Sequence, residues 1–176
     1  GADAKGIKPC TKLINQTIEK AASEGGGTIY FPAGTYLTAT IHMKSNITLH
    51  LESGAIVRFS DRFEDYLPFV TARWEGTVMQ TLSPLIYAHS ADNLTITGRG
   101  TLDGNGLKWW LWEFETRKGI KENGGKLPSL DKLQQMWVDA NKDLEISDYY
   151  KPSLERKMFR PPFIQFYCFV YTPESG

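Results

Sequence analysis

The chain has 176 residues, 41% of them hydrophobic, and its 20 Lys and Arg balance 20 Asp and Glu. That length can bury one ordinary core. No apolar run is long enough to cross a bilayer, and the neutral balance excludes the basic excess of a general nucleic-acid binder.

The first residues, GADAKG, contain neither the basic segment nor the apolar core of a signal peptide. Residues 9–23, PCTKLINQTIEKAAS, read as a helix. Pro9 suits its first turn, and Leu13, Ile14, Ile18, Ala21 and Ala22 form one apolar face. The glycines at 25–27 stop it. From there to residue 104 helical periodicity disappears. Short β-rich runs follow: TIYF, TYLTATIHM, NITLHL, AIVRFS, PLIYAH, NLTIT and TLDG, most of them separated by Gly, Asn, Ser or Pro turns.

Two runs look like copies. Asn46-Ile-Thr-Leu-His-Leu-Glu-Ser-Gly aligns with Asn93-Leu-Thr-Ile-Thr-Gly, each an Asn followed by alternating apolar and polar residues. Their separation is about twice the 20–29 residues of a short solenoid coil. This pattern predicts an all-β parallel β-helix. Such a fold winds several short strands and sharp corners into each coil. Pro32 ends the strand after GGGTIYF because it cannot donate to a ladder, and Gly34 permits the corner. Ile47, Leu49 and Leu51, with Leu94 and Ile96, would point into the stack, and helix 9–23 would cap one end of it.

Residues 105–160 differ, with Trp109, Trp110, Trp112 and Trp137, many charges and a helical stretch near 130–143. They read as an insertion, after which residues 163–167 (FIQFY) begin a further coil. The expected organisation is thus one incomplete domain over 1–176: capping helix 9–23, first coils 25–104, insertion 105–160 and a resumed coil at 163–167. Cys10 and Cys168 lack ligand spacing and are read as free thiols, with one long-range disulfide as the alternative. His42, His50 and His89 fall in strand patterns without metal-ligand spacing and are assigned structural roles. The sequons at Asn15, Asn46 and Asn93 are likewise read as structural.

The run GGGTIYFPAGTY, then Lys44-Ser45-Asn46-Ile47-Thr48-Leu49 and Gly100-Thr101-Leu102-Asp103-Gly104, resembles glycoside hydrolase family 28, the polygalacturonases and related pectin hydrolases. Arg73-Trp74-Glu75-Gly76, Ser83-Pro84-Leu85-Ile86-Tyr87 and Arg160-Pro161-Pro162-Phe163 also resemble it, particularly a bacterial branch that acts from chain ends. The resemblance implies a right-handed parallel β-helix, a pectic polysaccharide or oligogalacturonide as partner, no cofactor and no metal, and a secreted or periplasmic location. It also implies an N-terminal piece. The family's Asn-Thr-Asp, Asp-Asp, Gly-His-Gly and Arg-Ile-Lys motifs do not occur here, so the missing C-terminal coils of the same fold would carry them.

The chemistry implied is inverting hydrolysis, in which one carboxylic acid protonates the leaving oxygen and another activates a water across a gap of roughly 6.5–9.5 Å. No carboxylate pair in the sequence suits those roles, so no catalytic residue is assigned. Asp103 reads as a turn residue bonding its own backbone, and Glu75, Glu113 and Glu115 as loop contacts. Substrate binding is a better expectation. Arg73 could hold a galacturonate carboxylate through two parallel hydrogen bonds, with Arg99 and Arg117 behind it. Trp74, Trp109 and Trp110, with Trp112 beside them, could stack on sugar rings. Two other readings stay open: a non-catalytic carbohydrate-binding or adhesin β-helix, and a pectate lyase fragment.

Overall fold

A computed structural model describes residues 1–74, 77–122, 124, 132–144 and 161–167, with the side chains of Trp74, Thr77, Trp112, Thr116, Arg117, Ile120 and Gln134 outside that description. Glu75, Arg160 and Cys168 also lie outside the described residues. The elements in chain order are α1 (Thr11–Ser23), β1 (Gly27–Phe31), β2 (Gly34–Thr38), β3 (Ile41–His42), β4 (Ile47–Leu51) and β5 (Ala55–Phe59). A 3-10 turn at Phe63–Tyr66 is followed by β6 (Val70–Trp74), β7 (Thr77–Thr81), β8 (Ile86–His89), β9 (Thr95–Gly98) and β10 (Thr101–Asp103). Then come α2 (Leu107–Glu122), α3 (Lys132–Ala140) and β11 (Ile164–Tyr167). The chain divides into two compact units: residues 1–60, 84–104 and 163–176 in the first, residues 61–83 and 105–162 in the second.

The first unit is a right-handed parallel β-helix. Its sheets are β1-β4-β9, β2-β5-β10 and β3-β8-β11, every pair parallel. Each circuit of the chain adds one strand to each sheet, and residues of like character stack. Ile29, Leu49 and Ile96 share one row, Tyr36, Val57 and Leu102 a second, and Ile41, Ile86 and Ile164 a third. Alternation sends Ile47, Leu49, Leu51, Ala55, Val57, Phe59, Ile86 and Ala88 inward, and all are buried. Each large apolar side chain so covered contributes roughly 1.5–3 kcal/mol.

The two Asn-led copies stack on each other. Thr48, Leu49 and His50 lie in register with Thr95, Ile96 and Thr97. Asn93 Nδ2 donates to Asn46 Oδ1 at 3.0 Å across a separation of 47 residues. Gly26, Asn46 and Asn93 mark the same corner in successive coils, with φ of 118°, 63° and 55°. Gly and Asn tolerate this left-handed backbone, which explains the residue choice. Gly34, at φ 146°, makes the corner after Pro32, and a Cβ there would sit 2.9 Å from that of Ala4.

Helix α1 closes the first coil with Cys10, Ile14 and Ile18 buried. It begins at Thr11 rather than Pro9, and Leu13, expected on the apolar face, is 42% exposed. The helix also satisfies strand groups. Ala39 N donates to Thr11 Oγ1 at 2.7 Å, His42 N donates to Asn15 Oδ1 at 2.8 Å, and Asn15 Nδ2 donates to Thr40 O at 2.9 Å. Asn15 is therefore a structural residue. Cys10 is a buried free thiol.

Residues 61–83 depart from the expected run of coils over 25–104. They leave the stack between β5 and β8, and their strands β6 and β7 form an antiparallel hairpin. Residues 105–162 leave at the same corner one coil later, between β10 and β11, and the two excursions together make the second unit. Its interior joins the hairpin to α3. Met79 and Trp137 are buried, with Phe69 and Val138 packed against them. Trp137 Nε1 donates to Gln80 O at 2.7 Å, and Asn141 pairs with Gln80 as a strand would: Gln80 N donates to Asn141 Oδ1 at 2.8 Å while Asn141 Nδ2 donates to Gln80 O at 2.9 Å.

Candidate functional site

The four residues expected to bind substrate all fall in the second unit, on two elements. Arg73 is exposed on β6, opposite Val78, and Trp74 follows it. Trp109 and Trp110 are neighbours on α2 with opposite fates. Trp109 is 4% exposed, its ring 4.2 Å from that of Phe63 and 5.8 Å from that of Tyr66. Its faces serve internal packing. Trp110 is 61% exposed and lies nearly parallel to Phe114, with ring centres 6.3 Å apart and planes 9° apart. Helical spacing explains the split: adjacent residues point about 100° apart, while positions four apart share a face. Leu107, Trp110, Leu111 and Phe114 thereby form an exposed apolar stripe. The Trp110–Phe114 pair offers a flat aromatic surface of the kind that packs against the C–H face of a sugar ring.

Asp103, expected in a turn, has a strand position and a partner from another coil. It sits on β10, in register with Arg58 of β5, and its Oδ2 accepts from Arg58 Nε at 2.8 Å. The parallel register, invisible along the chain, supplies that partner 45 residues away. Arg99 is exposed after β9. Among the described residues, no three His, Cys, Asp or Glu side chains converge to hold a metal, and no helix is long and apolar enough to cross a membrane.

The first unit presents three outward faces. That of β1-β4-β9 carries Tyr30, His50 and Thr97 in one row. The Tyr30 and His50 rings stack at 5.5 Å with planes 14° apart, and Tyr30 Oη donates to Glu52 Oε2 at 3.0 Å. The Ser53 amide and the Tyr30 hydroxyl hold the Glu52 carboxyl below its ordinary range. The face of β2-β5-β10 carries the Arg58–Asp103 pair. The face of β3-β8-β11 carries a row of rings that sequence reading did not group. His42 meets Tyr87 at 6.0 Å, Tyr87 meets His89 at 6.5 Å, and His89 meets Tyr167 at 5.5 Å, with interplanar angles of 85°, 47° and 40°. Burial, then the neighbouring Tyr167, pushes the Tyr87 phenol up. Burial, then Lys44, holds His42 below its ordinary value, with Glu19 opposing. The alignable signal was the outward alternation at 42, 87, 89, 165 and 167, legible only once the three strands are known to stack.

No family model matches the chain. It is 35% identical to the hyperthermoactive exopolygalacturonase of Thermotoga maritima, with a TM-score of 0.70 over 96% of this chain and 37% of that one. It is 32% identical to the family 28 exopolygalacturonase of Yersinia enterocolitica, with a TM-score of 0.51 over 60% of this chain and 19% of that one. A Vitis vinifera protein named "Probable polygalacturonase" is 32% identical over 99 residues, 53% of this chain and 20% of the relative. The chain thus spans about a fifth of the length of the curated relatives it matches. In sequence and in right-handed β-helical fold, this chain is similar to exopolygalacturonases, one of them of family 28, over part of their length.

Proposed function

We propose that residues 1–176 form the N-terminal coils of a glycosidase that hydrolyses polygalacturonate-type pectin with inversion, acting in a secreted or periplasmic setting. The observation that carries this reading is the likeness to the Thermotoga exopolygalacturonase, which runs through nearly all of this chain and covers both fold and sequence. Two of the solved relatives are exopolygalacturonases, which favours attack at chain ends. In this reading the catalytic carboxylates lie on coils outside these residues, since no acid–base pair and none of the four family motifs is present. The chain's own contribution is binding. Arg73 supplies a guanidinium fork for a uronate carboxylate, and Trp110 with Phe114 supplies an aromatic surface for a sugar ring. Trp74, next to Arg73 in the chain, is a further stacking candidate, and Trp109 contributes by holding α2 rather than by touching sugar.

The test is reducing-end release from polygalacturonate by purified protein. A longer chain extending through the four motifs is expected to release galacturonate, and residues 1–176 alone are expected to release none. Inactivity of the longer chain on polygalacturonate, or unsaturated products that require calcium, would overturn the reading.

A further inference from the structure

We propose that Tyr30 and Glu52, on the outward face of β1-β4-β9, form with the threonine hydroxyls beside them a binding site for a neutral pyranose unit of a polysaccharide. The proposal goes beyond the pectin reading above and does not depend on it. Three observations carry it: an open aromatic plane, a carboxylate with no cation, and the size of the face.

The aromatic plane is fixed from two directions. Tyr30 sits on β1, the edge strand of its sheet, in register with His50 of β4. The two rings stack at 5.5 Å with planes 14° apart, and Tyr30 Oη donates to Glu52 Oε2 at 3.0 Å. His50 thus takes one face of the phenol, and no strand lies beyond β1 to bring a ring against the other. Tyr30 is 53% exposed. A ring already held in place loses little freedom on binding, and its open apolar face suits the C–H face of a pyranose.

Glu52 supplies the polar half of the site. Its Oε1 accepts from Ser53 N at 2.8 Å and its Oε2 from Tyr30. Each carboxylate oxygen keeps a second lone pair, which a sugar hydroxyl can reach. The Ser53 amide, then the Tyr30 hydroxyl, hold this carboxyl below its ordinary range, so it is ionised at neutral pH. Among the described residues no lysine or arginine pairs with it, Arg99 just past β9 included. The outward strand positions of the face carry no lysine or arginine either. An ionised carboxylate without a cation repels a uronate and accepts hydrogen bonds from the hydroxyls of a neutral sugar.

Size excludes a protein partner. Strands β1 and β4 have five residues each and β9 has four. With strands about 4.8 Å apart and about 3.3 Å per residue, the face covers roughly 200 Å², against about 800 Å² per partner in a stable protein–protein interface. That footprint suits a few sugar units. Thr28, Thr48 and Thr95 stand in register in the row next to Tyr30, so their hydroxyls continue the site across the three strands. All of these side chains are carried on a sheet whose inner positions Ile29, Leu49 and Leu51 are buried, which keeps the face in one shape.

The experiment titrates the whole chain with neutral galactotriose, whose axial hydroxyls leave one face of each ring to C–H groups, read by ligand-observed NMR and calorimetry. A dissociation constant of about 1 mM is expected, unchanged by added salt because the ligand carries no charge. An excess of trigalacturonate should not displace it. Tyr30→Ala should weaken binding about tenfold and Glu52→Gln about threefold, while Tyr30→Phe, which keeps the plane, should stay within about threefold of the parent. Thr101→Ala, on the outward face of β2-β5-β10, should change nothing. Circular dichroism verifies that each variant keeps the fold. No binding of galactotriose, its displacement by trigalacturonate, or equal affinity in Tyr30→Ala would overturn the proposal. Hydrolysis by a longer protein separates the two readings. Cleavage of polygalacturonate with no affinity for the neutral sugar removes this site and leaves the function standing. Neutral-sugar binding that depends on Tyr30 and Glu52, without hydrolysis, does the reverse.

Discussion

The second coil and the third follow the same alternating pattern and end in different environments. Leu49 on β4 and Ile96 on β9 occupy the same row, yet Leu49 is fully buried and Ile96 only half so. The third sheet repeats the contrast: Ile86 and Ala88 on β8 are 0% and 2% exposed, while their partners Ile164 and Phe166 on β11 are 42% and 49% exposed. Direction and burial are thus separate properties. Pleating decides which way a side chain points, but a stacked apolar residue loses its water only when it is covered on both sides, by a coil or, at the first coil, by α1.

That contrast can be tested by truncation, beginning with the largest effect. Leu49→Ala is expected to cost about 2–5 kcal/mol, read as a fall in the urea midpoint. Ile164→Ala in this chain should cost about 1 kcal/mol or less, because its side chain already meets water. Equal losses at the two positions would break the comparison. A longer protein that sets another coil on β11 would sharpen it, by raising the Ile164→Ala loss toward that of Leu49→Ala.

The outward faces should respond less. Asp103→Asn removes an ion pair whose side chains are 48% and 34% exposed, and should cost about 0.2–1 kcal/mol, shrinking as salt is added. The smallest effect is a slope. His42 is held below the ordinary histidine value near 6.5, so below that pH the unfolded chain takes up the proton before the folded one. The stability tied to this group is therefore full above about pH 6.5 and declines as pH falls through that value. His42→Gln should flatten the decline, and an unchanged slope between pH near 7 and pH near 5 would remove His42 as its source.

Much of the fold was legible because its signals are local. Alternation in NITLHL, the stop at Pro32, the glycines before TIYF and the helix over LINQTIEKAAS are each written within a few residues. The 47-residue echo between Asn46 and Asn93 went further and matched the stacking register. What stayed hidden involves partners far apart along the chain. Asp103 reads as a turn residue until Arg58 lies beside it. Residues 61–83 read as more coil until the hairpin β6–β7 is seen packing with α3. Trp109 and Trp110 are chemically alike in sequence, and only the ring packing of Phe63 and Tyr66 separates the buried one from the exposed one.

Sequence alone therefore determined the short strands, the corner residues, the capping helix and the repeat that makes them coil, since each follows from backbone preference and hydrophobic period over neighbouring positions. Tertiary structure decided which side chains from different coils share an outward face, and that two separate excursions from one corner pool into a second unit. Register between coils is set by how apolar layers pack against one another, and no short stretch of chain contains both layers.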